Sequence, residues 1–166
     1  GLGAPAAPLA AARARVDQGQ PRRFFRTIRS QQEAAMAAQR LMEEGVRDLR
    51  ALAARVEDLP ASTLPAVARA RAIARIDTLE DLRAAEALRR SRPTLEIRHA
   101  ALAPGVEYEL FDGRVALVAF RSPQHAGASF SFTNDSRTVW SLLANFEAIW
   151  EGAAPLTERE ASLAKK

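Results

Sequence analysis

The apolar positions of this chain follow two periods. Between residues 31 and 44, Ala34, Ala35, Ala38, Leu41 and Met42 recur at steps of three and four, which puts them on one face of a helix. Ser30-Gln31-Gln32-Glu33 forms a capping box at its start, and Gly45 closes its end. The same period predicts helices over 79–90, headed by Asp77-Thr78, and over 137–152, capped by Ser136. The second of these carries the longest stripe: Val139, Leu142, Leu143, Phe146, Ile149 and Trp150. Shorter helices are expected over 64–69 and, in the Ala/Pro-rich start, over 9–17. A period of two predicts strands at the centre of 48–56 and over 72–76, 95–99, 106–110, 114–120 and 128–133. Asp112-Gly113 reads as a hairpin turn, because Gly takes the positive φ such a turn requires. Residues 114–120 are apolar on both faces, which predicts a central strand covered on both sides.

Strand and helix alternate through the middle third, which implies an α/β sandwich with a parallel sheet core. A length of 166 residues fits one domain with an appended arm. The chain has no cysteine, which excludes disulfide scaffolds, thiolate zinc sites and thiol nucleophiles. Only His99 and His125 are present, so a histidine-rich metal centre is excluded too, and no cofactor is implied. No apolar run approaches the roughly 18 residues of a membrane span. The start lacks a charged segment followed by an apolar one, so no secretory signal is expected and the cytoplasm is the expected compartment. The net charge of +4 rests almost wholly on arginine, an excess that also follows from GC-rich coding. It permits contact with nucleic acid without demanding it.

There is no Gly-x-Ser-x-Gly elbow and no glycine-rich phosphate loop. Glu107 and Glu109 alternate on one strand and so share a face, where they either line a cleft or stand in solvent. His99 ends a strand. Arg22, Arg23, Arg26 and Arg29 surround Phe24 and Phe25, a basic cluster that either touches DNA phosphates or forms a solvated hinge.

The run Pro104-Gly105-Val106-Glu107-Tyr108-Glu109-Leu110-Phe111-Asp112-Gly113-Arg114 resembles the strand and turn of the phospholipase D-like fold, whose signature is HxKxxxxD. Asp112 matches the signature Asp, while Gly105 and Glu107 stand at the His and Lys positions. Ser131-Phe132-Thr133-Asn134 falls where a downstream strand of that fold ends in Asn, and Phe146-Glu147-x-x-Trp150-Glu151 resembles its closing helix. This degenerate form is similar to the sensor domain of TrmB-like transcriptional regulators and to a related domain of regulators with a LuxR-type helix-turn-helix. Phe25 to Glu33 fits the helix that opens that domain, and Leu156-Thr157-Glu158-Arg159-Glu160 looks like the start of a LuxR-type helix-turn-helix.

The resemblance implies a phospholipase D-like sandwich, a mixed sheet with a parallel core flanked by helices. It implies an arm over 1–23, an effector-sensing domain over 24–154 and a tail over 155–166 leading to a DNA-binding domain. The implied function is non-enzymatic: a small molecule, sugar-like in some relatives, binds a homodimeric domain and controls DNA binding elsewhere. Its site is expected at Glu107, Glu109, Asp112, Arg114 and Asn134, with His99 nearby. A docking module for protein or nucleic acid, and a residual phosphodiesterase, are the alternatives.

Overall fold

The computed structural model of the protein describes residues 22–60 and 67–166. At the Asp112-Gly113 turn both residues adopt the left-handed backbone, with φ of 54° and 65°. The Arg114 N–H donates to the Phe111 carbonyl at 3.0 Å and closes the turn. This hairpin joins β5 (Val106–Phe111) to β6 (Val115–Arg121), and β7 (Ala128–Thr133) continues the antiparallel meander. β1 (Phe25–Ile28) lies antiparallel against β7 at one edge.

The other half of the sheet is parallel. β2 (Asp48–Ala53), β3 (Arg69–Ala74) and β4 (Leu95–His99) run in the same direction, and β2 meets β5 antiparallel at the seam. The two-residue β8 (Ala154–Pro155) closes the far edge against β4. The order of the eight strands is β1-β7-β6-β5-β2-β3-β4-β8.

Each face of the sheet buries its own core. On the first face, α1 (Gln31–Glu43), α2 (Leu79–Ser91) and α4 (Leu156–Ala164) pack Ala34, Ala38, Leu82, Ala85 and Leu156 against Leu49, Ala51, Ala72, Ala74, Ile97 and Phe111. The alanines let helix and sheet approach closely, at the cost of apolar area per residue. On the second face α3 (Ser136–Gly152) packs Val139, Phe146 and Trp150 against Ile73, Tyr108, Leu110 and Val118. This is the expected mixed sheet with a parallel core and flanking helices.

Several boundaries move. The segment read as part of an opening helix begins as strand β1, which is tied down by the end of β7. The Asn134 Oδ1 accepts the Phe24 N–H at 2.8 Å, and the Thr133 hydroxyl donates to the Phe24 carbonyl at 2.7 Å. Asp135, not Ser136, caps α3, accepting from the Thr138 N–H at 3.2 Å and its hydroxyl at 2.7 Å. Residues 156–164 pack as a helix on the domain, where Arg159 Nε donates to the Ile76 carbonyl at 2.7 Å. Arg69, placed at the end of a helix over 64–69, begins β3 instead. The helix expected over 9–17 lies outside the described residues, as do residues 61–66.

Candidate functional site

The six residues expected to form one site are distributed over three places. Glu107 and Glu109 sit on the first face of β5 and line a cavity of about 320 Å³. The hollow opens where the carboxyl end of β2 meets the start of β5, under α1. α1 presents only Gln31, Ala34, Ala35 and Ala38 to it, so short side chains leave the space. Leu59, Leu117 and Phe130, each at least nine-tenths buried, form its apolar wall.

Glu107 is 5% exposed, unusual for a carboxylate that is not matched one to one. Its Oε1 accepts from Arg121 Nε at 3.1 Å. The same guanidinium lies 3.6 Å from Asp58, on the short 3₁₀ turn Val56–Asp58. Burial pushes the Glu107 carboxyl up; Arg121 opposes this, and Asp58 adds to it. Next to Asp58 on the rim, Glu57 pairs with Arg55.

Asp112 and Arg114 lie at the opposite end of β5, at the turn. The Asp112 Oδ1 accepts the N–H groups of Arg47 and Asp48, each at 2.9 Å, and so holds the hairpin to the start of β2. Asn134 is at that same end, and its Nδ2 donates to the Arg22 carbonyl at 3.0 Å. His99 is at the cavity's end of the sheet but three strands away, on β4. Its Nδ1 accepts the Ile76 N–H at 2.9 Å. Burial lowers its pKa, and nearby Arg159 lowers it further. The structure therefore does not bring all six together: Glu107 and Glu109 share a cavity, while Asp112, Asn134 and His99 bond to backbone elsewhere.

The basic cluster is also dispersed. Arg23 pairs with Asp135, and the Arg26 guanidinium sits 5.6 Å from the Phe24 ring. Arg22 offers its carbonyl to Asn134, and the Arg29 N–H donates to Glu33 at 3.4 Å.

Sequence reasoning missed Arg121 and Asp58. A signal existed for the first. Once the turn sets the hairpin register, Glu107 pairs with Ala119, and Arg121 falls diagonal to Glu107 on the same face. No comparable signal marked Asp58, which is delivered by a separate segment.

No family model and no curated protein matches the sequence. Solved structures do match. Nuc from Salmonella typhimurium, a phospholipase D family member, is 10% identical with a TM-score of 0.61, over 81% of this chain and 98% of its own. The fold is phospholipase D-like. NucT from Helicobacter pylori is 9% identical with a TM-score of 0.56, over 81% of this chain and 99% of its own. TrmBL2, an archaeal chromatin protein described with a novel mode of DNA binding, is 14% identical with a TM-score of 0.58. That match spans 93% of this chain and 65% of TrmBL2.

The expectation of a non-enzymatic chain is overturned by these matches. It rested on Gly105 and Glu107 at two signature positions, whereas 81% of this chain shares the fold of Nuc and NucT. The TrmB-like part of the resemblance agrees with TrmBL2 at the level of fold, and nothing in the matches bears on a LuxR-type arrangement. No helix among the described residues is long and apolar enough to cross a membrane.

Proposed function

We propose that this chain is the effector-binding domain of a cytoplasmic regulator that acts on DNA through a separate helix-turn-helix domain. Residues 1–23 serve as an arm, 24–154 as the sensing domain, and the segment from 155 leads on from it. A small molecule enters the cavity between α1 and β5–β6, and a homodimer transmits its occupancy. The observation that carries this reading is the cavity, about 320 Å³, with the buried Glu107 and the half-buried Arg121 in its wall. That size lies within the range of small-molecule sites, and a few polar groups among apolar walls are their usual lining. The likeness to TrmBL2, a protein described as binding DNA, supports the regulatory setting.

A second reading, phosphate-ester chemistry at the same cavity, is favoured by the fold shared with a phospholipase D family member. In that reading Arg121 would hold the anion and Glu107 would exchange the proton.

The test is ligand-induced stabilisation across a broad metabolite panel. A ligand at a hundredfold excess over its Kd adds about 2.7 kcal/mol. Ala34→Leu, which fills the cavity, is expected to abolish the shift. A silent panel, or a shift that survives Ala34→Leu, would overturn the effector reading. Release of nitrophenol from bis(p-nitrophenyl) phosphate by the pure protein, lost in Arg121→Met, would favour the second.

A further inference from the structure

Resting on the reading of the cavity as an effector site, we infer that its ligand is an organic ammonium ion with an apolar body. Three features of the hollow lead there. The first is an ion balance that does not close. One guanidinium, Arg121, is divided between two carboxylates, Glu107 at 3.1 Å and Asp58 at 3.6 Å. A triad of two anions and one cation carries one surplus negative charge. Glu107, 5% exposed, holds its share of that charge away from water, while Asp58 and Arg121 are partly exposed.

The second feature is that neighbouring charge does not cancel the surplus. Among the described residues, Arg121 is the only cationic side chain on the cavity wall, where Asp58 and Glu107 stand beside it. Arg55 pairs with Glu57, which leaves the Glu107–Asp58–Arg121 triad as before. An anion brought in would meet more negative than positive charge. A neutral polyol would find acceptors and leave the balance unchanged. A cation completes it, and gains most where the dielectric is low.

The third feature sets the rest of the ligand. Beside the triad, Leu59, Leu117 and Phe130 form an apolar wall, and α1 contributes methyl groups. A bare metal ion would leave that wall empty, and no group of three metal-binding side chains is present among the described residues. A body with several carbons, aliphatic or aromatic, fills it and is removed from water there. The ammonium head then donates to carboxylate oxygens of Glu107 and Asp58, bonds stronger than those between neutral groups.

The experiment uses the full chain and three probes of one shape: 2-phenylethylammonium, 2-phenylethanol and phenylacetate, with glucose as a polyol. Calorimetry and melting curves at neutral pH read the affinity. The ammonium is expected to bind at least tenfold more tightly than its neutral and anionic counterparts. Asp58→Asn and Glu107→Gln are each expected to weaken it by about tenfold, the scale of one charge-assisted hydrogen bond. Ala34→Leu is expected to abolish it. If phenylacetate, 2-phenylethanol or glucose binds as well as the ammonium, and Ala34→Leu removes that binding, the charge inference fails and the effector reading stands. If the ammonium binds but neither Asp58→Asn nor Glu107→Gln weakens it, the placement at the triad fails. If the ammonium does not bind, the inference fails, and the effector reading falls with it only when the broad panel is silent too.

Discussion

Glu147 on α3 grips the buried guanidinium of Arg71 on β3 with two hydrogen bonds, at 2.7 and 3.1 Å. The same carboxylate accepts from Arg50 Nε on β2 at 2.9 Å. Arg71 also lies over the rings of Phe146 and Trp150, at 5.5 and 5.4 Å, and Arg98 on β4 lies 4.2 Å from the Trp150 ring. Three adjacent parallel strands thus each send one arginine to α3. Removing Glu147 would leave Arg71, 5% exposed, as a buried charge without its partner. Glu147→Ala is expected to cost about 3 kcal/mol in urea unfolding. The double variant Arg71→Met, Glu147→Leu is expected to lose clearly less than the sum of the two single changes. Additive losses would show that the pair is not coupled.

Glu147 also gives an acid limb to stability. Hydrogen bonds from Arg71, together with the charge of Arg50, hold its carboxyl below the ordinary value of 4.5, against the effect of burial. The folded state therefore binds the proton less readily than the unfolded state. The stabilisation is complete above pH 4.5 and is lost as pH falls through the lower, folded value. Glu147→Gln is expected to flatten that part of the stability profile.

His99 acts in a higher window. Its folded pKa is lowered from 6.5 by burial and then by Arg159, with Asp77 opposing. The unfolded chain takes up the proton first, so stability is expected to fall as pH drops below about 6.5. Protonation also replaces the acceptor that holds the Ile76 N–H with a donor. His99→Gln, which offers an amide oxygen instead, is expected to lose the slope between pH 7.5 and 5.5 in thermal melts. A slope unchanged by the substitution would assign it to another group.

Phe146 is fully buried and stacked on Trp150, with ring centroids 5.8 Å apart. Phe146→Ala removes the centre of the second core and is expected to cost about 3–5 kcal/mol. Denaturant midpoints check this, and ligand affinity per folded molecule is expected to stay unchanged, because the cavity lies on the other face of the sheet.

Asp112 combines a left-handed backbone with two accepted backbone hydrogen bonds. Asn tolerates that conformation and keeps one acceptor oxygen, so Asp112→Asn is expected to be nearly neutral. Asp112→Ala loses both bonds and is expected to cost about 1–3 kcal/mol. Equal losses in the two variants would show that the charge, not the geometry, holds the turn.

The parts of the fold legible in the sequence are those whose cause is local. β4 and β7 match their expected ends, because alternation and flanking turns mark them. β1 was illegible: four residues have little periodicity, and their reason to be extended is Asn134, 110 residues away. Ser136 was read as the cap of α3, but Asp135 takes the position, with its carboxylate bonded to both Thr138 donors and paired with Arg23. In the site, the shared face of Glu107 and Glu109 was readable. The inclusion of Asp112 was a distance error. Five residues of strand at about 3.4 Å each place it some 17 Å along β5 from Glu107.

The latch between Asn134 and Phe24 also dictates the order in which the sheet can be completed. In a chain made from its amino end, β1 emerges before the other strands of this sheet, yet its partner strand, β7, is synthesised about a hundred residues later. The meander β5–β6–β7 closes through short turns, at small loop entropy, while β1 joins by closing the longest loop in the sheet. The earliest strand of this sheet is thus the one that must wait for almost the whole domain, and until it docks β7 is an open edge.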